Sequence, residues 1–182
     1  MHLNDHVLGL LDAEKPYIEI INGRGREKLV SPEWPHSRAQ LAFGQILSDF
    51  AGRVGGDVGS ELRFATKDPL GEPISLLPDV SYYSEEQIVA GGEAEKRYPR
   101  RSPYAAVEIR SSDDRPGERE QKIDLYLQLG TRVVIDVDPP RQIVTAIDAK
   151  GRQVFRKTDV FAHPALPGLR IDLEPLFARI NR

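Results

Sequence analysis

The chain has 182 residues, of which 40% are hydrophobic and 29% are charged, a balance typical of a globular protein with a sizeable core. The formal net charge of −3 argues against attachment to nucleic acid mainly through bulk charge, although it does not exclude a local basic surface. The chain has no cysteine, which excludes disulfides and thiolate metal sites. No apolar run approaches the roughly 18 residues of a membrane span, and the first residues lack the features of a signal peptide. We therefore expect a cytoplasmic protein with no membrane partner, and a single domain over residues 1–182.

The first half of the chain predicts a β-hairpin, a long helix and two strands. The segment "PYIEIINGRGREKLVSP" alternates around the turn sequence "NGRG", which predicts a hairpin whose second strand contains Leu29 and Val30. The segment "SRAQLAFGQILSDFAGR" has the i, i+3, i+4, i+7 apolar spacing of one helix face, with Ser37 as the expected cap. Strands are predicted in "ELRFAT" and, around Asp79, in "GEPISLLPDVSYYS".

The second half predicts more strands and two helices. The polar segment "SEEQIVAGGEAEKRYPRRSP" is expected to be an insertion or loop, and "YAAVEIRSS" a third strand. The segment "RPGEREQKIDLYLQLG" predicts a helix with Pro116 near its start and Gly130 at its end. Strands are expected in "TRVVIDVDPP", "RQIVTAIDAKG" and "QVFRKTDV", and a short helix in "LRIDLEPLFARI". Together these elements predict an α/β domain built on a mixed sheet.

Two carboxylates lie within apolar segments, where burial is costly. Side chains alternate along a strand, so Glu108 and Arg110 share one face of "YAAVEIRSS" and Ile109 lies on the other. Asp79 lies in a second apolar segment, although aspartate is a poor strand residue. A buried carboxylate costs several kcal/mol unless it is protonated, paired or bound to a metal. In adjacent strands, Asp79 and Glu108 could share Mg²⁺ or Mn²⁺. Alternatively, Asp79 belongs to a turn and Glu108 pairs with Arg110.

The order of several short segments resembles a known family. "PDV" followed by "VEIRSS" resembles the PD-(D/E)XK signature of the restriction-endonuclease-like nuclease superfamily. "YIEIINGR", "SPEWPHSRAQ", "GSELRF", "LLPDVSYYS", "AAVEIRSSDD" and "EQKIDLYLQLGTRVVIDVDP" occur in the order seen in the Uma-type putative restriction endonuclease family, over roughly residues 16–148. The resemblance implies a restriction-endonuclease-like mixed central sheet flanked by helices, with an N-terminal β-hairpin.

The same resemblance implies a metal-dependent endonuclease that hydrolyses phosphodiester bonds, with DNA as the expected partner and Mg²⁺ or Mn²⁺ as the cofactor. Asp79 and Glu108 would be metal ligands together with the backbone carbonyl of Ile109, and the metal would lower the pKa of a bound water. Because cutting both strands of a duplex usually requires two active sites, we also expect a homodimer. The alternatives are a catalytically weakened domain that binds nucleic acid or a protein partner, and a structural protein with no site.

The catalytic cation is left open between Arg110 and Lys122. The superfamily signature prefers lysine at position 110, and arginine stays protonated, so Arg110 cannot act as a general base. It could still bind a phosphate and stabilise transition-state charge. Lys122 lies on the apolar stripe of its helix. Either the side chain faces the site, or its aliphatic part lies along the stripe and its ammonium group reaches the solvent. Arg100 and Arg101, in the basic segment "EKRYPRR", are candidate substrate-binding residues or part of a solvated loop.

Three further polar residues are candidates around this site. Glu61 in "GSELRF" either approaches the metal or forms a surface ion pair with Arg63. Glu19 alternates with apolar neighbours in "YIEII" and could face the same cleft. His36 matches a histidine position of the family and otherwise would be a cap or a surface group before the first helix. Tyr126 is expected in the core.

Overall fold

The computed structural model describes residues 4–13, 17–28, 33–95, 97–112, 114 and 116–182. In that part of the chain the α-helices are α1 (Asp5–Ala13), α2 (Trp34–Val54), α3 (Glu85–Gly91), α4 (Pro116–Gln128) and α5 (Leu173–Ile180). The strands are β1 (Ile18–Ile21), β2 (Arg24–Glu27), β3 (Asp57–Ser60), β4 (Phe64–Lys67), β5 (Pro73–Leu76), β6 (Val80–Tyr83), β7 (Ala105–Ile109), β8 (Val133–Asp138), β9 (Ile143–Asp148), β10 (Gly151–Arg156), β11 (Val160–Phe161) and β12 (Ile171–Asp172). None of the described helices is both long and apolar enough to cross a bilayer.

Most of the strands belong to two sheets. The larger sheet is mixed and has the order β10-β9-β8-β7-β6-β3, in which β7 and β8 are parallel. The smaller sheet is antiparallel, has the order β2-β1-β5-β4 and contains the N-terminal hairpin. Parallel neighbours require a crossover connection, which α4 provides between β7 and β8.

The larger sheet is covered on both faces. One face of β7, with Val107 and Ile109, belongs to a core that includes residues of α2 and α5. The opposite face, with Ala106, belongs to a second core formed with α4 and the smaller sheet. Strands covered on both faces read as continuous apolar runs. This explains why all six residues of β8 are buried, including Asp136.

The sequence prediction is confirmed from β7 onward. Helix α4 ends as predicted before Gly130, whose φ of 97° lies in the left-handed region that favours glycine. Strands β8, β9 and β10 form an antiparallel meander, and the tail ends in α5.

The start of α2 differs from the prediction. The helix begins at Trp34, and the amide of Ser37 donates to the carbonyl of Glu33, so Ser37 lies inside the first turn and does not cap it. Pro35 occupies this first turn, where its missing N–H costs no hydrogen bond. The predicted apolar face is buried as expected and includes Ala39, Ala42, Phe43, Leu47 and Phe50.

The segment after β6 was predicted to be an insertion or a loop, and it contains a helix where a loop was one expectation. Helix α3 begins there, capped by a reciprocal pair in which Ser84 Oγ accepts from the amide of Gln87 and the Gln87 side chain accepts from the amide of Ser84. Ser-x-x-Gln is a capping-box pattern, so the sequence carried this signal. None of the α3 side chains is buried, which explains why no apolar periodicity marked the helix.

The predicted strand around Asp79 is two strands in different sheets. Strand β5 ends at Leu76 and β6 begins at Val80, and Asp79 lies in the link between them. Pro78 lies in the same link and has no N–H to donate to a sheet. Upstream, the strand predicted in "ELRFAT" begins only at Phe64. The second hairpin strand ends at Glu27, whereas Leu29 and Val30 lie outside the described residues.

Candidate active site

The link between the two sheets brings Asp79 to the carboxyl end of β7. Because Val80 pairs with Val107 in antiparallel register, Asp79 lies beside the last residues of that strand. The backbone N–H of Ile109 donates to Asp79 Oδ2 at 2.7 Å, which places this carboxylate next to Glu108. The two acidic residues of the sequence motif therefore lie side by side, although they belong to different elements.

Basic side chains surround the buried Asp79 carboxylate. Lys28 Nζ lies 2.8 Å from Oδ1 and also donates to the carbonyl of Leu77 at 2.7 Å. His36 Nε2 lies 3.5 Å from Oδ2. Burial by itself would raise the pKa of Asp79, but Lys28, His36 and Lys122 outweigh it and hold that pKa well below its usual range. Asp79 is therefore ionised at neutral pH.

The Glu108 carboxylate has different surroundings and a different pKa. The hydroxyl of Tyr126 donates to Oε1 at 2.7 Å, and Lys122 Nζ lies 3.0 Å from Oε1 and 3.1 Å from Oε2. Burial raises the pKa of Glu108; Lys122 opposes this, while the charges of Asp79 and Glu19 add to it. The neighbouring carboxylates thus have pKa values shifted in opposite directions, a pattern found where acidic groups have distinct chemical roles.

Lys122 links three of the site's elements. Its ammonium lies 2.9 Å from Glu19 Oε1 in addition to its contacts with Glu108, and Glu19 also accepts from the amide of Leu77 at 2.7 Å. Burial alone would lower the pKa of Lys122, but Glu108, Glu19 and Asp79 raise it above its usual value. The side chain therefore faces the site and stays protonated.

Arg110 is engaged by another pair of carboxylates. Its Nη2 lies 2.7 Å from Asp136 Oδ2, and its Nη1 lies 3.5 Å from Asp138 Oδ2. Asp136, on the neighbouring strand β8, pairs in register with Glu108 of β7. Arg110 does not line the cleft at Asp79, whereas it does line an adjoining pocket. The alternative of a Glu108–Arg110 ion pair is thus wrong, because each residue has other partners.

Arg119 on α4 completes the network behind Glu108. It donates to Asp136 through Nε at 2.9 Å and through Nη2, and this Nη2 also donates to the carbonyl of Glu108 at 2.9 Å. Its Nη1 lies 2.8 Å from Asp114. Burial by itself would raise the pKa of Asp136, but Arg110 and Arg119 lower it overall. This network fixes the backbone at Glu108.

The structure places three more of the predicted residues, in addition to Arg110, outside the cleft lining. Glu61 has a φ of 48° between two strands, and its amide donates to the carbonyl of Asp79 at 3.2 Å. Arg63, its predicted surface partner, is buried and donates to Ser75 Oγ at 2.8 Å. Arg101 pairs with Glu95 at 2.8 Å. Besides Arg110, the predicted residues outside the lining are Glu61, Arg100 and Arg101.

The described residues enclose a cleft of about 90 Å³ at this site. Of the outer candidates, Glu19 and His36 line it, and His36 belongs to the first turn of α2 instead of preceding the helix. Sequence reasoning missed Lys28 and Arg119. The lining is strongly charged and comprises Glu19, Ile21, Arg26, Glu27, Lys28, His36, Asp79, Glu108, Ile109, Ser111, Asp114, Glu118, Arg119 and Lys122.

The chemistry of the donors suits a hard cation. Asp79, Glu108 and the Ile109 carbonyl offer oxygen ligands, which Mg²⁺ and Mn²⁺ prefer. Within the described part of the chain, however, no three His, Cys, Asp or Glu side chains are arranged to hold a metal. Lys28 and Lys122 instead occupy the carboxylate oxygens. A metal ion would therefore have to displace an ammonium group from at least one of them.

A helix-flanked mixed sheet with two carboxylates and a lysine at a strand end defines the restriction-endonuclease-like class. The chain belongs to the Uma2 family, described as putative restriction endonucleases, whose model matches residues 5–174. This confirms the resemblance seen in the sequence and supports a nuclease, and hence hydrolase, function.

A solved structure agrees with this fold. The crystal structure of a putative nuclease belonging to DUF820 from Anabaena variabilis ATCC 29413 matches with a TM-score of 0.78 and 22% identity, over 92% of this chain and 93% of that one. It confirms the predicted restriction-endonuclease-like fold. A DrdV–DNA complex matches with a TM-score of 0.42 and 20% identity, over 76% of this chain and 11% of that one, which is too weak to support an argument. No curated protein matches the chain in sequence.

Proposed function

We propose that the protein is a metal-dependent endonuclease that hydrolyses phosphodiester bonds in DNA, with Mg²⁺ or Mn²⁺ held by Asp79, Glu108 and the Ile109 carbonyl. The observation that carries this proposal is the adjacency of the two carboxylates at the end of β7, with Lys122 Nζ 3.1 Å from Glu108 Oε2. The family to which the chain belongs supports the reaction class.

The side chains of the site divide the work of such a reaction. When bound, the metal would polarise a phosphate oxygen and lower the pKa of a bound water. Asp79, whose pKa its neighbours hold low, would be the first anchor for the ion, and Glu108 would join it once Lys122 moves away from the Glu108 carboxylate. Lys122 stays protonated and stabilises negative charge on the phosphate. His36 lines the cleft beside Asp79 and is the candidate for accepting the proton of the water.

A second pocket adjoins the cleft and could hold part of a substrate longer than one nucleotide. This pocket, of about 290 Å³, shares His36 and Ser111 with the cleft and adds Arg110 and Arg141. Phosphate contacts by arginines position nucleic acid without reading its sequence. Arg110 therefore has its proposed role at a neighbouring phosphate, outside the reaction centre.

We also propose that the active form is a homodimer, because one active site cuts one strand at a time. Sedimentation of the protein, alone and with duplex DNA, measures this directly. A wild-type protein that linearises plasmid as a strict monomer in both conditions contradicts the dimer.

The nuclease proposal is tested with supercoiled plasmid and Mg²⁺ or Mn²⁺. We expect nicking by the wild type, chelator-sensitive and reduced at least about 100-fold in Asp79→Asn and Glu108→Gln. Glu86→Gln, at an exposed carboxylate of α3, is the matched control and should cut normally. Equal plasmid survival with all four proteins, and no metal-induced rise in Tm, would contradict the proposal.

The second candidate is a catalytically weakened domain that binds nucleic acid or a protein partner. It is favoured by the lysine pairing of both carboxylates and by the lack of a ready three-residue metal site among the described residues. Binding of duplex DNA without nicking, under every metal condition, would favour this candidate.

A further inference from the structure

Arg26 lies on the hairpin strand β2 at the edge of the cleft. It pairs in antiparallel register with Glu19, so the two side chains lie on the same face of the hairpin. Arg26 lines the cleft that contains Asp79 and Glu108. Its Nη1 atom is buried, and no described residue accepts a hydrogen bond from it.

The other cations of the cleft differ from Arg26 in their partners. Lys28 pairs with Asp79, Lys122 with Glu108 and Glu19, and Arg119 with Asp114 and Asp136. Apart from Arg26, the lysines and arginines that line the described cleft are these three. The carboxylate of Glu19, opposite Arg26, already contacts Lys122 and the amide of Leu77. Within the described residues, Arg26 is thus the lining cation that has no ion-pair partner.

A buried N–H without an acceptor costs free energy, so such groups call for a physical explanation. A bound ligand that accepts a hydrogen bond from Nη1 would account for this unsatisfied donor of Arg26. The guanidinium is a planar fork of donors that matches two oxygens of a phosphate group. Arg110, the arginine suggested by the sequence motif, is engaged by Asp136 and Asp138.

We propose that Arg26 binds a backbone phosphate of DNA in the cleft, so that the N-terminal hairpin serves as a phosphate-binding arm. The inference rests on the proposed action on nucleic acid, but not on cleavage. It adds a substrate contact from an element that the sequence motif does not include.

The test is binding of a fluorescein-labelled DNA duplex, measured by fluorescence anisotropy in EDTA and again in Ca²⁺. We expect Arg26→Gln to weaken binding about tenfold or more, as loss of a charge-assisted hydrogen bond does. Arg26→Lys should recover only part of the affinity, because lysine lacks the fork. Arg24→Gln, the same charge change at an exposed position of the same strand, should weaken binding about twofold or less.

Thermal unfolding separates this role from a structural one. Because Arg26→Met removes an unsatisfied buried donor, its Tm should equal or exceed that of the wild type while DNA affinity falls. The proposal is overturned by equal losses of affinity in the Arg24 and Arg26 variants, by unchanged affinity in Arg26→Gln, by a lower Tm in Arg26→Met, or by no wild-type binding in either buffer. Arg26-dependent binding without plasmid nicking would overturn the nuclease proposal alone.

Discussion

Replacing Asp136 by asparagine tests the network that holds the backbone of Glu108. The Asp136 side chain is 2% exposed, and two arginines donate to it. Asparagine keeps the size of the side chain but removes the charge. The substitution therefore leaves the guanidinium groups of Arg110 and Arg119 without their main counter-ion.

The expected cost follows from the burial of the partners. Removing one member of a buried ion pair costs about 3–5 kcal/mol. The Arg119 side chain is 10% exposed and cannot recover full hydration, whereas that of Arg110 is 35% exposed and can recover part of it. We therefore expect the free energy of unfolding to fall by the lower end of this range, about 3 kcal/mol. For a chain of this size that corresponds to a fall in Tm of about 6–12 °C.

The assay is urea unfolding of wild type and Asp136→Asn at several pH values. Arg110 and Arg119 hold the folded-state pKa of Asp136 below its ordinary value of 3.8, against the effect of burial. Such a group contributes stability fully above the ordinary pKa, and the contribution is lost as pH falls through the lower folded-state pKa. The difference in unfolding free energy between wild type and Asp136→Asn should thus have its full value at pH 7 and decrease below about pH 4.

Glu120→Gln provides the matched control for this substitution. Glu120 also pairs with an arginine, Arg152, but their side chains are 47% and 44% exposed, so at most about 1 kcal/mol is expected. A cost for Asp136→Asn no larger than for the control, or a difference that grows in acid, would refute the reasoning.

Two further predictions concern catalysis and the backbone. Lys122→Gln should lower plasmid nicking about 100-fold or more, and Arg110→Gln less than about tenfold, because Arg110 is engaged by carboxylates. Loss of nicking in the Arg110 variant alone would remove Lys122 from the mechanism. Gly56→Ala should cost about 1–3 kcal/mol in thermal unfolding, because φ is 100° and a Cβ would clash with the Tyr83 carbonyl. Gly44→Ala, on a helix with open space around it, should instead stabilise by about 1 kcal/mol, and equal effects of the two would be contrary to this account.

The two carboxylates were predictable from local sequence, but the contact between Lys28 and Asp79 was not. An acidic residue in an apolar segment is conspicuous because burying it is costly, which identified Asp79 and Glu108. Lys28 contacts Asp79 across a sequence separation of 51 residues, and that contact depends on how the hairpin packs against the link after β5. Nothing in the spacing of "REKLVSP" indicates such a contact.

The fold was predictable where periodicity or continuous burial marks an element. The apolar run of β8 and the stripe of α2 are examples, and both were found. The link around Pro78 was missed because two apolar strands on either side of it look like one long strand. Helix α3 was missed because an element without buried side chains has no periodic pattern.

The identity of the site's cation depends on the charges of the neighbouring strand. Spacing within "VEIRSS" suggested Arg110, since it follows Glu108 by two residues. In "VVIDVD", however, Asp136 and Asp138 are themselves buried carboxylates that need cations. Arg110, at the end of β7, forms ion pairs with both of these carboxylates. Lys122 on α4 is therefore the cation that contacts Glu108. A motif spanning one strand cannot reveal this division, because it is set by the parallel pairing of β7 with β8 and by the crossover helix between them.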